Sequence, residues 1–143
     1  MAPHTIGYYG SALALNLDVH EGARLFVWDG PSEYVDWISP LPPRARIIKG
    51  LDSDTDIVHV FVRSRVALER ALRTLHATLR PDAAVWVSWP KRALRIRTDV
   101  NEDAVRAAAT SVGFVETKAC SVDEMWWGLK LAMGRLTERR LPL

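Results

Sequence analysis

The sequence predicts a single α/β domain with a mostly parallel sheet, helices on its faces and an antiparallel hairpin at its C-terminal end. The run of β-branched, aromatic and small residues around Val85 to Val87 is typical of a strand buried on both faces, which is a central strand. A strand over 57–62, a helix and this central strand follow one another within about 33 residues, as in a βαβ unit with parallel strands. Two further strand patterns, over 114–122 and 125–133, flank a polar pair and predict the hairpin.

Three weaker elements precede the βαβ unit. Leucines at positions 13, 15 and 17 indicate a short helix or turn over 11–17. The stretch 24–28 predicts a first buried strand, and the turn after it leads into a short helix over 33–38. Prolines at positions 40, 42 and 43 stop that helix and lead into a second candidate strand over 45–49.

The second candidate strand poses a geometric problem. Only residues 50–55 are available to bring the chain back to the start of the strand over 57–62. Six residues reach roughly 20 Å when extended, whereas a crossover between parallel strands usually takes a dozen or more. We therefore leave open whether the strand over 45–49 is antiparallel, marginal or absent.

Capping and breaking residues set the limits of the helices in the second half of the chain. Ser64 is a suitable N-cap for an amphipathic helix that runs to about Leu79, and Pro81 stops it. Asn101 can cap a further helix over 102–112. Both helices have an apolar side, so we expect them to pack on the sheet.

Length and composition predict one soluble, cytoplasmic domain. The chain has 143 residues, of which 48% are hydrophobic and 25% charged, and its net charge is +2. We assign residues 1–133 to one Rossmann-like α/β domain and 134–143 to a basic tail that we expect to be mobile. No stretch has the character of a membrane span or a signal peptide, so we expect no membrane partner. The small net charge gives no reason to expect nucleic acid as a partner.

Several reactive residue types are present without the spacing that chemistry requires. The four histidines show no metal-ligand spacing with one another, so we predict no metal site. Cys120 lies in a predicted strand, and we interpret it as a packed thiol rather than a nucleophile. Asp123 and Glu124 are neighbours in a hairpin, where adjacent side chains point apart. We therefore assign no catalytic residue.

The candidate binding site lies where the parallel strands end, because open α/β sheets bind ligands at the carboxyl ends of their strands. Pro90 cannot donate a hydrogen bond to a sheet, so the central strand should end near Trp89 and release a basic loop. Ser64 begins a helix whose free amides and dipole favour an anion. The predicted site for a small anionic ligand combines three loops, with the residues Asp29, Gly30, Ser32, Arg63, Ser64, Arg65, Lys91 and Arg92.

A plainer interpretation stays open for the same residues. Arg63 and Arg65 can be solvated, Ser64 can act only as a helix cap, and the basic loop can serve solubility. Stabilisation of the folded protein by phosphate would discriminate the two, since a ligand that binds only the folded state raises its apparent stability.

The order of elements in the second half of the chain resembles the carboxyl half of class I S-adenosylmethionine-dependent methyltransferases. A helix ending at Leu79-Arg80-Pro81, the strand and helix that follow, Gly113-Phe114 and the terminal hairpin carry this resemblance. Nearly the whole chain is also similar to an uncharacterised bacterial family of domains of unknown function, number 3052. The similar stretches are FVRSRVALE, VWVSWPKR, TDVNEDAVR, VGFVETKACSVDE and WGLKL. The resemblance implies a truncated, Rossmann-like fold of the methyltransferase type, without a known activity.

The methyltransferase motifs match this chain incompletely. The resemblance implies a glycine-rich cofactor loop after the first strand, but only Gly30 stands there. It also implies a carboxylate at the end of the second strand, where Lys49 and Gly50 stand instead. A third strand-helix unit has no room in the chain. We therefore do not expect S-adenosylmethionine as a cofactor, and we leave the cofactor unassigned.

Three classes of function stay open. We favour a non-catalytic binding or regulatory module for a small anion on a degenerate methyltransferase-like fold. The alternative is an S-adenosylmethionine-dependent methyltransferase or a subunit of one. A nucleic-acid-associated protein is the third, since the basic stretches KRALRIR and RLTERR could contact phosphates. We favour a monomer, and expect a dimer through the C-terminal hairpin only if no helix covers its apolar face.

Overall fold

The computed structural model describes residues 10–91, 97–123 and 125–134. Its strands are β1 Arg24–Trp28, β2 Arg46–Ile48, β3 Ile57–Phe61, β4 Ala84–Pro90, β5 Phe114–Ser121 and β6 Trp126–Met133. Its helices are α1 Ala12–Asn16, α2 Tyr34–Ile38, α3 Arg65–Thr78 and α4 Glu102–Val112. The sheet order is β2-β1-β3-β4-β6-β5, with the first four strands parallel and β6 antiparallel to both of its neighbours. The predicted α/β fold with a mostly parallel sheet and a terminal hairpin is confirmed.

The predicted caps begin the two long helices. Oγ of Ser64 accepts a hydrogen bond from the amide of Ala67 at 3.1 Å, and Oδ1 of Asn101 accepts one from the amide of Ala104 at 2.8 Å. Each cap satisfies one of the amides that a helix start leaves unpaired. Gly113 ends α4 with a φ of 116°, a left-handed conformation that glycine adopts without the steric cost of a Cβ atom.

β2 pairs in parallel with β1, which answers the question that the sequence left open. Ile47 and Ile57 both lie opposite Leu25, on the two sides of β1. Because β2 has only three residues, its last residue lies opposite Phe26 and the first residue of β3 lies opposite Leu25, so the chain returns by only one residue along the strand direction, roughly 3 Å. The connection over 49–56 therefore suffices, whereas a full-length second strand would need a long crossover.

β4 extends one residue further than predicted and includes Pro90, which pairs with the first residue of β6. On the side of β3, the carbonyl of Ser88 accepts a hydrogen bond from the amide of Val62 at 2.9 Å. On the side of β6, the amide of Lys91 donates to the carbonyl of Met125 at 2.9 Å. Along a strand, the backbone N–H and C=O groups of consecutive residues point alternately to the two neighbouring strands, so the nitrogen of Pro90 faces β3. The hydrogen bonds between β3 and β4 have already ended at this point. The missing N–H group of Pro90 therefore costs the sheet no hydrogen bond.

Helices cover both faces of the sheet. Leu68 of α3, Val105 of α4 and Val85 of β4 belong to one buried cluster. A second cluster lies on the opposite face, beneath α1 and α2, and contains Leu25 of β1 and Trp86 of β4. Consecutive residues of β4 therefore enter both layers, as predicted for a central strand.

α4 covers the more apolar face of the C-terminal hairpin. Leu129 and Leu131 of β6 belong to the same buried cluster as Val105 and Ala109 of α4. On this face Trp127 is still 43% exposed. A helix thus covers most of the face that we considered for dimerisation, and the monomeric state stays a prediction.

The predicted boundary between domain and tail falls at the end of β6. Gly134 donates its amide to the carbonyl of Gly113 at 3.1 Å, so the first residue of the predicted tail still contacts the domain. The rest of the predicted tail, residues 135–143, lies outside the described residues. Its predicted mobility therefore stays a prediction.

Candidate functional site

The carboxyl ends of β1, β3 and β4 lie at one edge of the sheet. These strands are parallel neighbours, and His59 of β3 lies opposite Val27 of β1 and Trp86 of β4. The turn of the hairpin reaches the same edge, because β6 begins opposite the last residue of β4. The sequence correctly predicted that these strand ends share the edge where sheets of this type bind ligands.

The loop after β1 lies closer to the sheet than a larger residue would allow. A Cβ atom built on Gly30 would lie 2.5 Å from Cγ1 of Val27 and 3.4 Å from Cε1 of Phe61. Glycine therefore lets the backbone lie directly against the side chains of Val27 and Phe61. Asp29 has a φ of 55°, a left-handed conformation that Asp tolerates better than most residues. Asp29 and Ser32 are both exposed.

The start of α3 already binds a carboxylate from the same chain. The amide of Arg65 donates to Oδ1 of Asp99 at 2.8 Å, and Nε of Arg65 donates to the carbonyl of Asp99 at 2.8 Å. Oγ1 of Thr98 donates to the carbonyl of Arg63 at 2.7 Å, which holds the segment of Asp99 against this helix start. An external anion at Ser64 would therefore compete with Asp99.

Arg63 and Lys91 pack against different tryptophans. The guanidinium carbon of Arg63 lies 5.7 Å from the ring centre of Trp126, and Nζ of Lys91 lies 4.4 Å from the ring centre of Trp127. Consecutive strand residues point to opposite faces, so the two cations lie on opposite faces of β6. Arg92 lies outside the described residues. The loops share an edge but the two cations do not converge, and anion binding stays a prediction.

A buried polar network lies beneath this edge, and the sequence analysis missed it. Oη of Tyr34 and Nδ1 of His59 share a hydrogen bond of 2.8 Å, and Nε2 of His59 and Oγ of Ser88 share one of 2.7 Å. His59 and Ser88 are fully buried, and Tyr34 is 3% exposed. The only signal in the sequence was a polar residue inside each of two otherwise apolar strands.

Burial keeps this network neutral. It lowers the pKa of His59 to about 3 and raises the pKa of Tyr34 above its usual range, because the charged forms lose their hydration. Ser88 and His59 have the contact expected of a nucleophile and its base. A catalytic serine must also reach a substrate, and Ser88 is closed off by burial, so we assign the network a structural role.

A groove of about 970 Å³ lies on the face of the sheet that α1 and α2 cover. Its walls include α1, Trp37 of α2 and the hairpin residues Lys118, Val122 and Asp123. Volumes of this order hold small-molecule ligands. Val122 and Asp123, next to the hairpin turn, bring one end of the groove to the edge where β4 ends, but its lining residues do not include those of the loops described above.

The described ranges of the chain contain neither a candidate metal centre nor a candidate membrane span. No group of three or more His, Cys, Asp or Glu side chains there could hold a metal ion. The helices there are too short and too polar to cross a bilayer. Cys120 is a free, half-buried cysteine, and burial raises the pKa of its thiol, as expected of a packed thiol.

Solved structures share this fold at low sequence identity. An S-adenosylmethionine-dependent methyltransferase from Aquifex aeolicus has a TM-score of 0.62 and 13% identity, over 92% of this chain and 94% of that one. A TehB-like S-adenosylmethionine-dependent methyltransferase from Corynebacterium glutamicum has a TM-score of 0.54 and 16% identity, over 91% of each chain. Fibrillarin from Aeropyrum pernix, with natively bound S-adenosylmethionine, has a TM-score of 0.56 and 15% identity, over 85% of this chain and 73% of that one. No protein-family model and no curated protein matches the chain.

These neighbours define the class of fold as Rossmann-like, of the methyltransferase type. They also correct the expectation that S-adenosylmethionine is not the cofactor: that expectation is wrong, since the neighbours include enzymes that depend on this cofactor and one that holds it. The expectation rested on motif side chains that this chain lacks. In open α/β sheets the position of a ligand site follows from where the strands end, which the short chain preserves.

Proposed function

We propose that this protein binds S-adenosylmethionine at the carboxyl edge of its sheet, as a methyltransferase or as a subunit of one. The observation that carries the proposal is the fold shared with two S-adenosylmethionine-dependent methyltransferases over at least 91% of each chain compared. The shape of the sheet edge supports it, because three neighbouring parallel strands end there.

The loop after β1 supports the proposal at the level of single residues. Gly30 allows the backbone to lie against the side chains of Val27 and Phe61, and a ligand can approach a glycine backbone closely because no Cβ atom is in the way. Asp29 is exposed beside it, and a carboxylate can accept hydrogen bonds from the hydroxyl or ammonium groups of the cofactor. Because Lys49 follows β2 in place of a carboxylate, Asp29 is the acid that we assign to the cofactor.

Isothermal titration calorimetry with S-adenosylmethionine and S-adenosylhomocysteine tests the proposal. We expect the wild type to bind both and Asp29→Asn to bind roughly tenfold more weakly or worse, as expected for the loss of a charged hydrogen-bond acceptor. Asparagine also tolerates the left-handed backbone, so the loss would report on the carboxylate.

The matched control for this experiment is Asp54→Asn. Asp54 is an exposed carboxylate in the connection before β3, at the opposite edge of the sheet. We expect this variant to bind the cofactor as the wild type does. No heat from the wild type at millimolar cofactor would remove the proposal, and equal losses in both variants would remove the role of Asp29.

Methyl transfer additionally requires an acceptor held in line with the methyl group. We assign the acceptor to the groove between α1 and the hairpin, because Val122 and Asp123 bring one end of it to the carboxyl edge of the sheet and Trp37 gives it an aromatic wall. Formation of S-adenosylhomocysteine in the presence of cell extract would support an enzyme. Cofactor binding without product would support a non-catalytic subunit.

A non-catalytic module for a small anion is the second candidate. The observation that favours it is the exposed cation Arg63 directly after β3, at the ligand edge. Membership of family 3052, a bacterial source, a cytoplasmic location and a single domain over 1–133 are parts of the proposal that rest on the sequence alone. Binding to nucleic acid would require a steep loss of affinity with salt.

A further inference from the structure

The buried network of Tyr34, His59 and Ser88 joins three elements beneath the ligand edge. Tyr34 is the first residue of α2, His59 lies in the middle of β3, and Ser88 lies near the end of β4. Burying three polar side chains brings little net stability, because apolar residues of similar shape could fill the same space at little cost. A network of this kind instead selects one arrangement of the elements that it joins.

We propose that Tyr34 is a positioning residue for the ligand site: its hydrogen bond to His59 holds α2, and with it the loop over 29–33, in the position that binds the cofactor. This inference rests on the proposed function, since it assigns that loop to the cofactor. Tyr34 itself does not touch the ligand, because it is buried. It acts through the backbone that precedes it.

The first turn of α2 has few other polar contacts that fix its position. The helix has only five residues, and its N-cap, Glu33, makes no side-chain cap hydrogen bond. A helix this short is not stable without tertiary contacts. The amide of Tyr34 donates to the carbonyl of Pro31 at 3.0 Å, so a shift of Tyr34 would move the loop directly.

His59 is a rigid anchor for this hydrogen bond. It lies between Val27 of β1 and Trp86 of β4 in the parallel part of the sheet, so its backbone is held from both sides. Its ring stacks on Phe61 with 4.3 Å between centres, which limits rotation. Ser88 binds the far side of the imidazole, within the sheet, and does not contact α2 through its hydroxyl.

The two hydroxyl partners of His59 allow a matched pair of variants. Tyr34→Phe removes the hydroxyl that links α2 to His59 and keeps the ring, which meets the Phe61 ring edge to face at 5.6 Å between centres. Ser88→Ala removes the hydroxyl within the sheet and leaves the bond between His59 and Tyr34. Both variants leave one nitrogen of the same buried imidazole without its partner, so their costs in stability should be similar.

The first measurement is the affinity for S-adenosylmethionine by calorimetry. We expect Tyr34→Phe to weaken binding roughly two- to tenfold, the range for a lost hydrogen bond, and Ser88→Ala to bind within about twofold of the wild type. If the network served stability alone, the two substitutions would change the affinity for S-adenosylmethionine by the same factor. Equal affinities in the two variants would therefore overturn the inference.

The second measurement needs no ligand and separates this inference from the proposed function. Amide hydrogen exchange over 29–38 should be faster in Tyr34→Phe than in Ser88→Ala, after normalisation to the amides of β3. If the wild type does not bind S-adenosylmethionine but this difference is found, the proposed function fails and the positioning role stands. If the two variants exchange alike over 29–38, the positioning role is wrong whatever the ligand.

Discussion

Trp86 shows how one side chain joins distant parts of this chain. It is fully buried, and its indole Nε1 donates to the carbonyl of Leu17, directly after α1, at 3.2 Å. A buried indole needs such a partner for its N–H group. Nζ of Lys118 lies 5.7 Å from the ring centre, within the range of a cation–π contact. The residue therefore ties the N-terminal helix to the central strand.

Trp86→Ala should lower the free energy of unfolding by about 3 to 5 kcal/mol, because it leaves a large cavity and removes a satisfied polar contact. Urea unfolding followed by circular dichroism measures this change. The matched control is Trp127→Ala. Because Trp127 is 43% exposed, this substitution should lower the free energy of unfolding much less. A loss below about 1 kcal/mol for Trp86→Ala would contradict the central place of β4.

Among the elements, the start of α3 illustrates competition for a binding position. Helix starts attract anions because their amides are unpaired. Here Asp99 supplies that anion: its carboxylate accepts from the amide of Arg65, and its carbonyl accepts from the Arg65 guanidinium. The sequence correctly predicted from Ser64 where the helix starts. The amide of Arg65, the first residue of the helix, is nevertheless bound by Asp99, which lies 34 positions after Arg65.

Asp99→Ala should gain more stability from phosphate than the wild type does, because the change frees the amide of Arg65. Thermal unfolding with and without phosphate measures the gain. In the double variant that also carries Arg65→Ala, which removes the guanidinium beside the freed amide, the extra gain should be smaller. Asp103→Ala, which removes an exposed carboxylate from the first turn of α4, is the control and should respond as the wild type does.

Equal phosphate gains in the wild type and in all of these variants would contradict anion binding at the basic edge. The cations would then be solvated side chains, which is the plainer interpretation of the sequence. A surface ion pair contributes only about 0 to 1 kcal/mol, so a larger gain would require several donors acting together.

For the whole molecule, two buried or half-buried groups make stability depend on pH. His59 has a pKa of about 3 in the folded protein, lowered by burial. For Asp56, burial raises the pKa, but hydrogen bonds from the Arg24 amide and from Arg80 outweigh this and leave the pKa below its usual value. Both groups bind protons more readily in the unfolded chain, so stability falls as pH falls.

The free energy of unfolding should be highest above about pH 6.5 and fall below it by up to about 1.4 kcal/mol per pH unit from His59. Urea unfolding between pH 7.5 and pH 5 measures the slope. His59→Gln removes the titrating group and should flatten the curve in this window. An unchanged slope in His59→Gln would show that another group is responsible.

The elements that depend on local signals could be predicted from the sequence. The βαβ unit, the helix over 102–112 and the hairpin follow from apolar periodicity, and the caps at Ser64 and Asn101 follow from side chains that reach amides three residues away. Parallel neighbours joined by one crossover must end at the same edge, so the shared edge of β3 and β4 also followed from the sequence.

Contacts between distant residues were decided only by the tertiary structure. Tyr34 and His59 are 25 positions apart, and His59 and Ser88 are 29 positions apart, so no local pattern predicts their hydrogen bonds. Which face of β6 Arg63 contacts, and which face Lys91 contacts, depends on the register of β6 with β4. The parallel pairing of β2 depends on how few of its residues pair with β1. Periodicity and capping act within a few residues, whereas register and buried polar contacts arise only once the strands have packed.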